Sequence, residues 1–277
     1  MKVLNILSLG AGVQSTTVLL MSCIGQLPKM DAAIFADVGW EPKEVYRHLA
    51  WLTEFAAMHG IKIIQVKHGD LRADALVSQV RGRSTQGRRW ASMPMYTKDK
   101  AGNIGMIRRQ CTGEYKIFPI QKKIRELIGL KPKQRGPKEI AVRQYFGISW
   151  DEIGRMRDPE KKWIENVYPL IDMRMTRQSC LDWLEKNGFP LAPRSACIGC
   201  PFHSDAEWQK IKDDPEQWLD AVEFDEQIGN CGGMRGQMFL HRSCKPLKEI
   251  DFRSRDVRGG QPQLTFENSE CTGMCGV

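Results

Sequence analysis

The chain of 277 residues contains no apolar run approaching the about 18 residues that a membrane-crossing helix needs. Its first ten residues, MKVLNILSLG, hold one Lys and a short apolar run closed by Gly10. They lack the longer apolar core and small-residue cleavage site of a secretory signal. No internal repeat or low-complexity tract is visible. These absences argue against export and membrane insertion, so the expectation is a cytoplasmic protein with no membrane partner. An even cysteine count is missing too. Nine cysteines in a chain without an export signal make a disulfide framework a poor reading, and favour metal binding or reactive thiols.

What is present is an ordinary globular composition, 42% hydrophobic and 27% charged, on a chain long enough to bury a full core. The formal charge of +8 is unevenly placed. Residues 81–143 hold 17 Lys/Arg against 4 Asp/Glu, which leaves the remainder of the chain net acidic.

The first 66 residues alternate short apolar runs with helical spacing. Val3–Leu9, Ala32–Ala36 and Lys62–Val66 are expected strands. Val13–Ile24 and Glu44–His59 are expected helices, stopped by Gly25 and Gly60. This order implies right-handed crossovers and a parallel sheet. Residues 67–110 break the pattern and read as a basic, partly ordered insertion. Helical spacing resumes over Tyr115–Ile128. Strands are expected at Ile140–Ile148 and Val167–Ile171, and a helix over Thr176–Asn187 with Thr176 as N-cap and Gly188 as stop. Ser204 and Glu207 form a capping-box pattern. After Gly229 the chain reads as irregular. The expected fold is therefore α/β, a Rossmann-like parallel sheet flanked by helices. It spans 1–190, with a Cys-rich region over 191–277 packed on it and a flexible tail over about 265–277.

Between the first strand and helix lies Ser8-Leu9-Gly10-Ala11-Gly12-Val13-Gln14-Ser15-Thr16. Small residues let the backbone approach a ligand, and a helix N-terminus favours a phosphate. No Gly-Lys-Ser/Thr follows, so this is not the common kinase-type phosphate loop. Ser15 stands where a dinucleotide fingerprint has its third Gly. The plain alternative is a tight turn with no ligand. Asp37, followed by Gly39, lies at the carboxyl end of the second strand, the edge of a parallel sheet where ligands bind.

Loop and acid together resemble the PP-loop ATPases of the adenine nucleotide alpha-hydrolase fold, whose motif is Ser-Gly-Gly-x-Asp-Ser. Gly12 and Ser15 match it, whereas Gly10, Ala11 and Gln14 depart from it. The likeness extends to the phosphoadenosine phosphosulfate reductase branch. It is carried by Asp37-Val38-Gly39 with Glu41 and Glu44, and by Arg109-Gln110-Cys111-Thr112 with Lys116 and Pro119. Gly147-Ile148-Ser149 with Asp151, Glu152 and Arg155, and Tyr168-Pro169-Leu170 before Trp183-Leu184 and Gly188-Phe189-Pro190, continue it. The resemblance implies cleavage of ATP between its α and β phosphates, with Mg²⁺. Ser8, Gly10, Ala11, Gly12, Gln14, Ser15, Thr16, Asp37 and Gly39 would bind nucleotide, and Asp37 would act near the nucleotide or its metal.

Cys197-Ile198-Gly199-Cys200 has metal-ligand spacing, and the resemblance adds Cys111. An iron–sulfur cluster on these three thiolates, a zinc ion closed by His203, and ordinary thiols are the alternatives. Cys23 and Cys180 fit helical apolar faces, while Cys231 and Cys244 are uninformative. Cys271 and Cys275 sit near the C-terminus. Phosphosulfate reductases carry a nucleophilic Cys in such a tail, which makes Cys275 a candidate catalytic thiol. Arg81, Arg83, Arg88, Arg89, Arg108 and Arg109, with Trp90 and Tyr96, suit a polyanion with accessible bases; a solvated loop is the plain alternative.

The leading expectation is an adenylating enzyme that releases pyrophosphate from ATP and passes sulfur from a donor protein to a tRNA base or DNA. A phosphosulfate reductase and a nucleotide-binding protein without catalysis are the rivals.

Overall fold

The computed structural model of the protein describes residues 2–80, 93–229 and 236–252. Its first part runs β1 (Leu4–Leu9), α1 (Val13–Cys23), β2 (Ala32–Asp37), α2 (Lys43–Met58) and β3 (Lys62–Lys67). There follow α3 (Leu71–Val80), β4 (Tyr96–Asp99), β5 (Ile104–Met106), a π-helical turn Thr112–Ile117 and α4 (Phe118–Leu127). The chain then forms β6 (Val142–Phe146), a 3-10 segment Trp150–Arg155, β7 (Ile164–Val167), α5 (Pro169–Asp172) and α6 (Arg177–Lys186). It continues through α7 (Asp205–Lys212), α8 (Pro215–Gly229), β8 (Gly236–Phe239) and a 3-10 turn Leu247–Glu249.

Five strands form one parallel sheet in the order β3-β2-β1-β6-β7. Alternate side chains face opposite sides. Leu7, Leu9, Ala33 and Phe35 join Val18, Leu49, Leu52, Cys180 and Leu184 in the core under α1, α2 and α6. Ile6, Ile34 and Val142 join Ile120 and Ile124 of α4 in the core on the other face. The result is a three-layer, Rossmann-like α/β sandwich. The chain winds outward from β1 through β2 to β3, then returns to the opposite side of β1 as β6. The order therefore reverses between β1 and β6, and a crevice opens beyond their carboxyl ends.

The N-caps follow the sequence. Thr176 and Ser204 each accept from the backbone N–H three residues on, and Ser179 and Glu207 reciprocate. Gly25, Gly60 and Gly188 take the left-handed backbone that stops α1, α2 and α6.

Elsewhere the structure departs from expectation. The fifth strand lies earlier than Val167–Ile171, because Pro169 has no N–H for a ladder and instead opens the helical turn α5. Residues 67–110 hold α3 and the β4–β5 hairpin. The region after Gly229 holds β8, which completes an antiparallel sheet in the order β5-β4-β8, with Tyr96 opposite Phe239. A second core lies under this sheet. It gathers Trp40, Leu71, Met95 and Tyr115 with Cys197, Trp208, Phe224 and Leu240. Among the described residues no helix is long and apolar enough to cross a membrane.

Candidate functional site

The turn from β1 into α1 occupies the β1–β6 crevice. Ala11 sits in the left-handed region at φ +57 and is wholly buried. That conformation costs a residue with a Cβ about 1–2 kcal/mol, so the surrounding structure must hold it. Gly12 is the N-cap of α1; no side chain caps this end, and its first turn holds no acid. The leading N–H groups of a helix have no partner within it, which favours an anion at such an end; here Ser195 and Pro193 lie against Gly12, 3.4–4.0 Å from where its Cβ would stand. Ser15 braces the turn: its hydroxyl donates to the Gly12 carbonyl at 3.3 Å and accepts from Gly10 N–H at 3.2 Å.

The loop after β6 closes on the same turn. A Cβ at Gly147 would lie 2.4 Å from Ser15 N and 2.6 Å from Ser15 Cα, both backbone atoms. Only glycine admits this approach. Gln14 then reaches across the crevice, its amide donating to Glu152 Oε2 at 3.2 Å and to Ser149 Oγ at 3.4 Å. The other Glu152 oxygen pairs with Arg155 at 2.5 Å. Glu152, buried by the 3-10 segment, therefore couples the β1–α1 turn to a guanidinium.

Two hydroxyls of this segment have partners within the protein. Ser8 Oγ accepts from Gln144 Nε2 at 2.8 Å, and Thr16 Oγ1 shares a hydrogen bond of 3.0 Å with His48 Nε2. Thr16 is wholly buried, and burial pulls the His48 pKa down to about 4. Asp37 Oδ1 accepts from Gly39 N–H at 2.8 Å and from the Tyr46 phenol at 2.9 Å. Burial, reinforced by Asp37, pushes that phenol up from its usual pKa. Gly39 has φ +78, and a Cβ there would meet Asp70 Oδ2 at 2.7 Å.

Beside Asp37 lies a buried ion pair. Lys116 Nζ meets Glu41 Oε1 at 3.1 Å, with side chains 7% and 0% exposed. It joins the β2–α2 loop to the π-helical turn that begins after Cys111. No sequence motif announced this contact, because the pairing arises only when the turn folds against β2.

The Cys197–Cys200 turn packs on the same loop. Ile198 N–H donates to the Trp40 carbonyl at 2.9 Å, and Cys200 N–H donates to the Cys197 carbonyl at 3.0 Å. A Cβ at Gly199 would lie 2.1 Å from the Trp40 ring. Trp40 is itself tied by its indole N–H to Asp220 at 2.5 Å. Gly199→Ala is therefore expected to cost about 1–3 kcal/mol by overpacking, read as a fall in thermal midpoint.

His203 is held inside this turn. Its Nε2–H donates to the Cys197 carbonyl at 2.9 Å, and burial pulls its pKa down to about 4. Cys197 lies in the second core, and Cys111 and Cys200 pack against it. Among the described residues, however, no three His, Cys, Asp or Glu side chains are grouped to hold a metal ion.

Arg109 donates to Thr112 Oγ1 at 2.5 Å and lies 5.8 Å from the centre of the Phe202 ring, while Arg108 is exposed. Arg81, Arg83, Arg88, Arg89, Trp90, Cys231, Cys271, Cys275 and the tail over about 265–277 lie outside the described residues. No family model matches the chain, and no curated protein matches it.

Proposed function

We propose that the protein is an ATP-using, pyrophosphate-releasing enzyme of PP-loop type that adenylates a nucleic acid and passes sulfur to it. The observation that carries this reading is the glycine-only contact of Gly147 with the uncapped start of α1, at the strand-order reversal. A helix start with uncapped N–H groups at such a reversal is the kind of place where a phosphate binds. The resemblance of the surrounding motifs to the phosphoadenosine phosphosulfate reductase branch, and the basic bias of residues 81–143, supply the reaction type and acceptor class.

In this reading the β and γ phosphates rest on the α1 N-terminus, held in shape by Ser15 and Ala11. Asp37 and Gly39 border the nucleotide from the end of β2. Mg²⁺, arriving with ATP, would neutralise phosphate charge. An oxygen of the acceptor attacks the α-phosphorus, and the bond to the β-phosphate oxygen breaks, releasing pyrophosphate. A sulfur nucleophile from a donor protein then forms a bond to the acceptor atom, and AMP leaves with the oxygen. Arg155, steered by Glu152, supplies positive charge where the leaving phosphates depart.

The test is pyrophosphate release from ATP with tRNA and with DNA as acceptors. Gly147→Ala is expected to lower kcat at least tenfold while the far-ultraviolet circular dichroism is unchanged, because the added methyl displaces the α1 backbone by a fraction of an ångström. ATP binding without turnover by the wild type on either acceptor would sink the enzymatic reading.

A further inference from the structure

We propose that Ser243 is an acyl-accepting nucleophile, with His241 as its base and Asp205 as the carboxylate that orients the base. The relay stands on the turn between β8 and the 3-10 turn Leu247–Glu249, where Leu240 and Leu247 enter the second core. It does not rest on the adenylation reading.

The His241 ring lies between its two partners. Nδ1 is 2.8 Å from Ser243 Oγ, and Nε2 is 3.0 Å from Asp205 Oδ1. A third bond fixes the tautomer. Ser243 N–H donates to Nδ1 at 3.1 Å, and a backbone N–H cannot accept, so Nδ1 carries the lone pair. The proton of the neutral ring is then on Nε2, where it donates to Asp205. Nδ1 is therefore the atom that takes the proton of the Ser243 hydroxyl. A nucleophile within hydrogen-bond reach of a base, and a base held by a third group, is the arrangement that activates a serine. A histidine that only tied β8 to α7 would need the Asp205 bond alone. The hydroxyl on the opposite nitrogen is what makes this ring a base.

The surroundings hold the geometry. Asp205 opens α7 directly after the Ser204 cap, so its carboxylate sits on a fixed helix end. Arg242 Nη2 donates to the same Asp205 oxygen at 2.7 Å. The His241 ring packs edge-on to Phe252, with ring centres 5.7 Å apart. Asp225 of α8 accepts from Leu240 N–H and from Leu247 N–H, both at 2.9 Å, and so clamps the two stems of the turn. Between the stems Cys244 takes the left-handed backbone at φ +50, and its N–H donates to the His241 carbonyl at 3.0 Å. Strain of this kind persists only where the structure around it is firm. Burial is graded along the relay. His241 and Asp205 are buried, Ser243 is half-buried, and Arg242 and Lys245 on either side of it are exposed. Base and carboxylate are shielded from water while the hydroxyl reaches the surface.

The nucleophile sets the substrate class, a carboxylic ester of a good leaving alcohol. Ser243 Oγ forms a bond to the acyl carbon, and its proton passes to His241 Nδ1. The bond from the acyl carbon to the alcohol oxygen then breaks, and Nδ1 returns the proton to that oxygen. The products are an acyl-serine and a free alcohol, with no oxidant or reductant involved.

The experiment treats the full chain with p-nitrophenyl acetate and maps the acetyl group by mass spectrometry of its peptides. Acetylation of Ser243 is expected in the native protein and not in the urea-unfolded chain. Ser243→Ala should remove it. His241→Gln is expected to slow it about a hundredfold or more, the contribution of a general base. Asp205→Asn should slow it too, by letting the ring turn. The last two are read only where the near-ultraviolet circular dichroism is native; if neither folds, Ser243→Ala and the urea comparison decide the matter. No acetyl group on Ser243 of the native protein, or acetylation confined to Cys244 or Lys245, overturns the proposal. So does an equal rate in native and unfolded chains, or the wild-type rate in folded His241→Gln.

Discussion

Lys116→Met is expected to destabilise the protein by about 3–5 kcal/mol, because it strands the buried Glu41 carboxylate without its cation. Glu41 is already at the edge of what the interior tolerates. One of its oxygens accepts from Lys116, while Oε2 is buried with no hydrogen-bond partner. Removing the ammonium leaves a full charge in an apolar setting beside Trp40 and Tyr115. The paired variant Glu41→Met/Lys116→Met should recover most of the loss, since replacing both ions with apolar side chains removes both desolvation penalties. Urea unfolding midpoints of the three proteins decide the matter. Equal stability of Lys116→Met and wild type would mean that the pair contributes nothing, and that the π-helical turn is held by packing alone.

Stability is also expected to fall steeply between pH 6.5 and pH 4. His48 and His203 are both held at about 4 by burial, against an ordinary value of 6.5. Across this window the unfolded chain binds a proton at each site and the folded protein does not. Stability therefore rises with pH from 4 to 6.5 and is level above it. Each histidine contributes up to about 3 kcal/mol across the window, from 1.36 kcal/mol per pKa unit. Asp225 acts in the opposite direction just above 3.8, because burial raises its carboxyl. His48→Gln isolates the histidine part: whatever its absolute stability, its share of the slope between pH 4 and 6.5 should vanish. An unchanged slope in that variant would assign the acid lability elsewhere.

The parts of the fold legible in the sequence are those whose signals are local. Leu7, Leu9, Ala33 and Phe35 lie in apolar runs that a two-faced parallel strand requires, and Thr176 and Ser204 cap the helices that they introduce. The segments that escaped sequence reasoning depend on distant partners. Tyr96–Asp99 reads Tyr-Thr-Lys-Asp, with no apolar alternation, and becomes a strand because β8 and β5 flank it. The candidate site divides in the same way. Gly10, Ala11 and Gly12 announce a close turn by composition. The commitment of Thr16 to His48, the bridge from Gln14 to Glu152, and the Lys116–Glu41 pair join residues far apart in the chain. No spacing rule connects positions 14 and 152, or 41 and 116.

The pairing of β4 with β8 bears on how the chain is made. Tyr96 meets Phe239, so a strand near the first third of the sequence waits for residues made much later. The Rossmann-like sheet has its last strand at β7 and its helical cover complete with α6, at residue 186, so it can assemble while the chain is still growing on the ribosome. The β4–β5 hairpin then spends the interval with one edge unpaired, and open edges of this kind invite association with other chains. Translational pausing or loss of the last segments would expose that edge. Aggregation of nascent or shortened chains should therefore depend on residues 96–106 rather than on the parallel sheet.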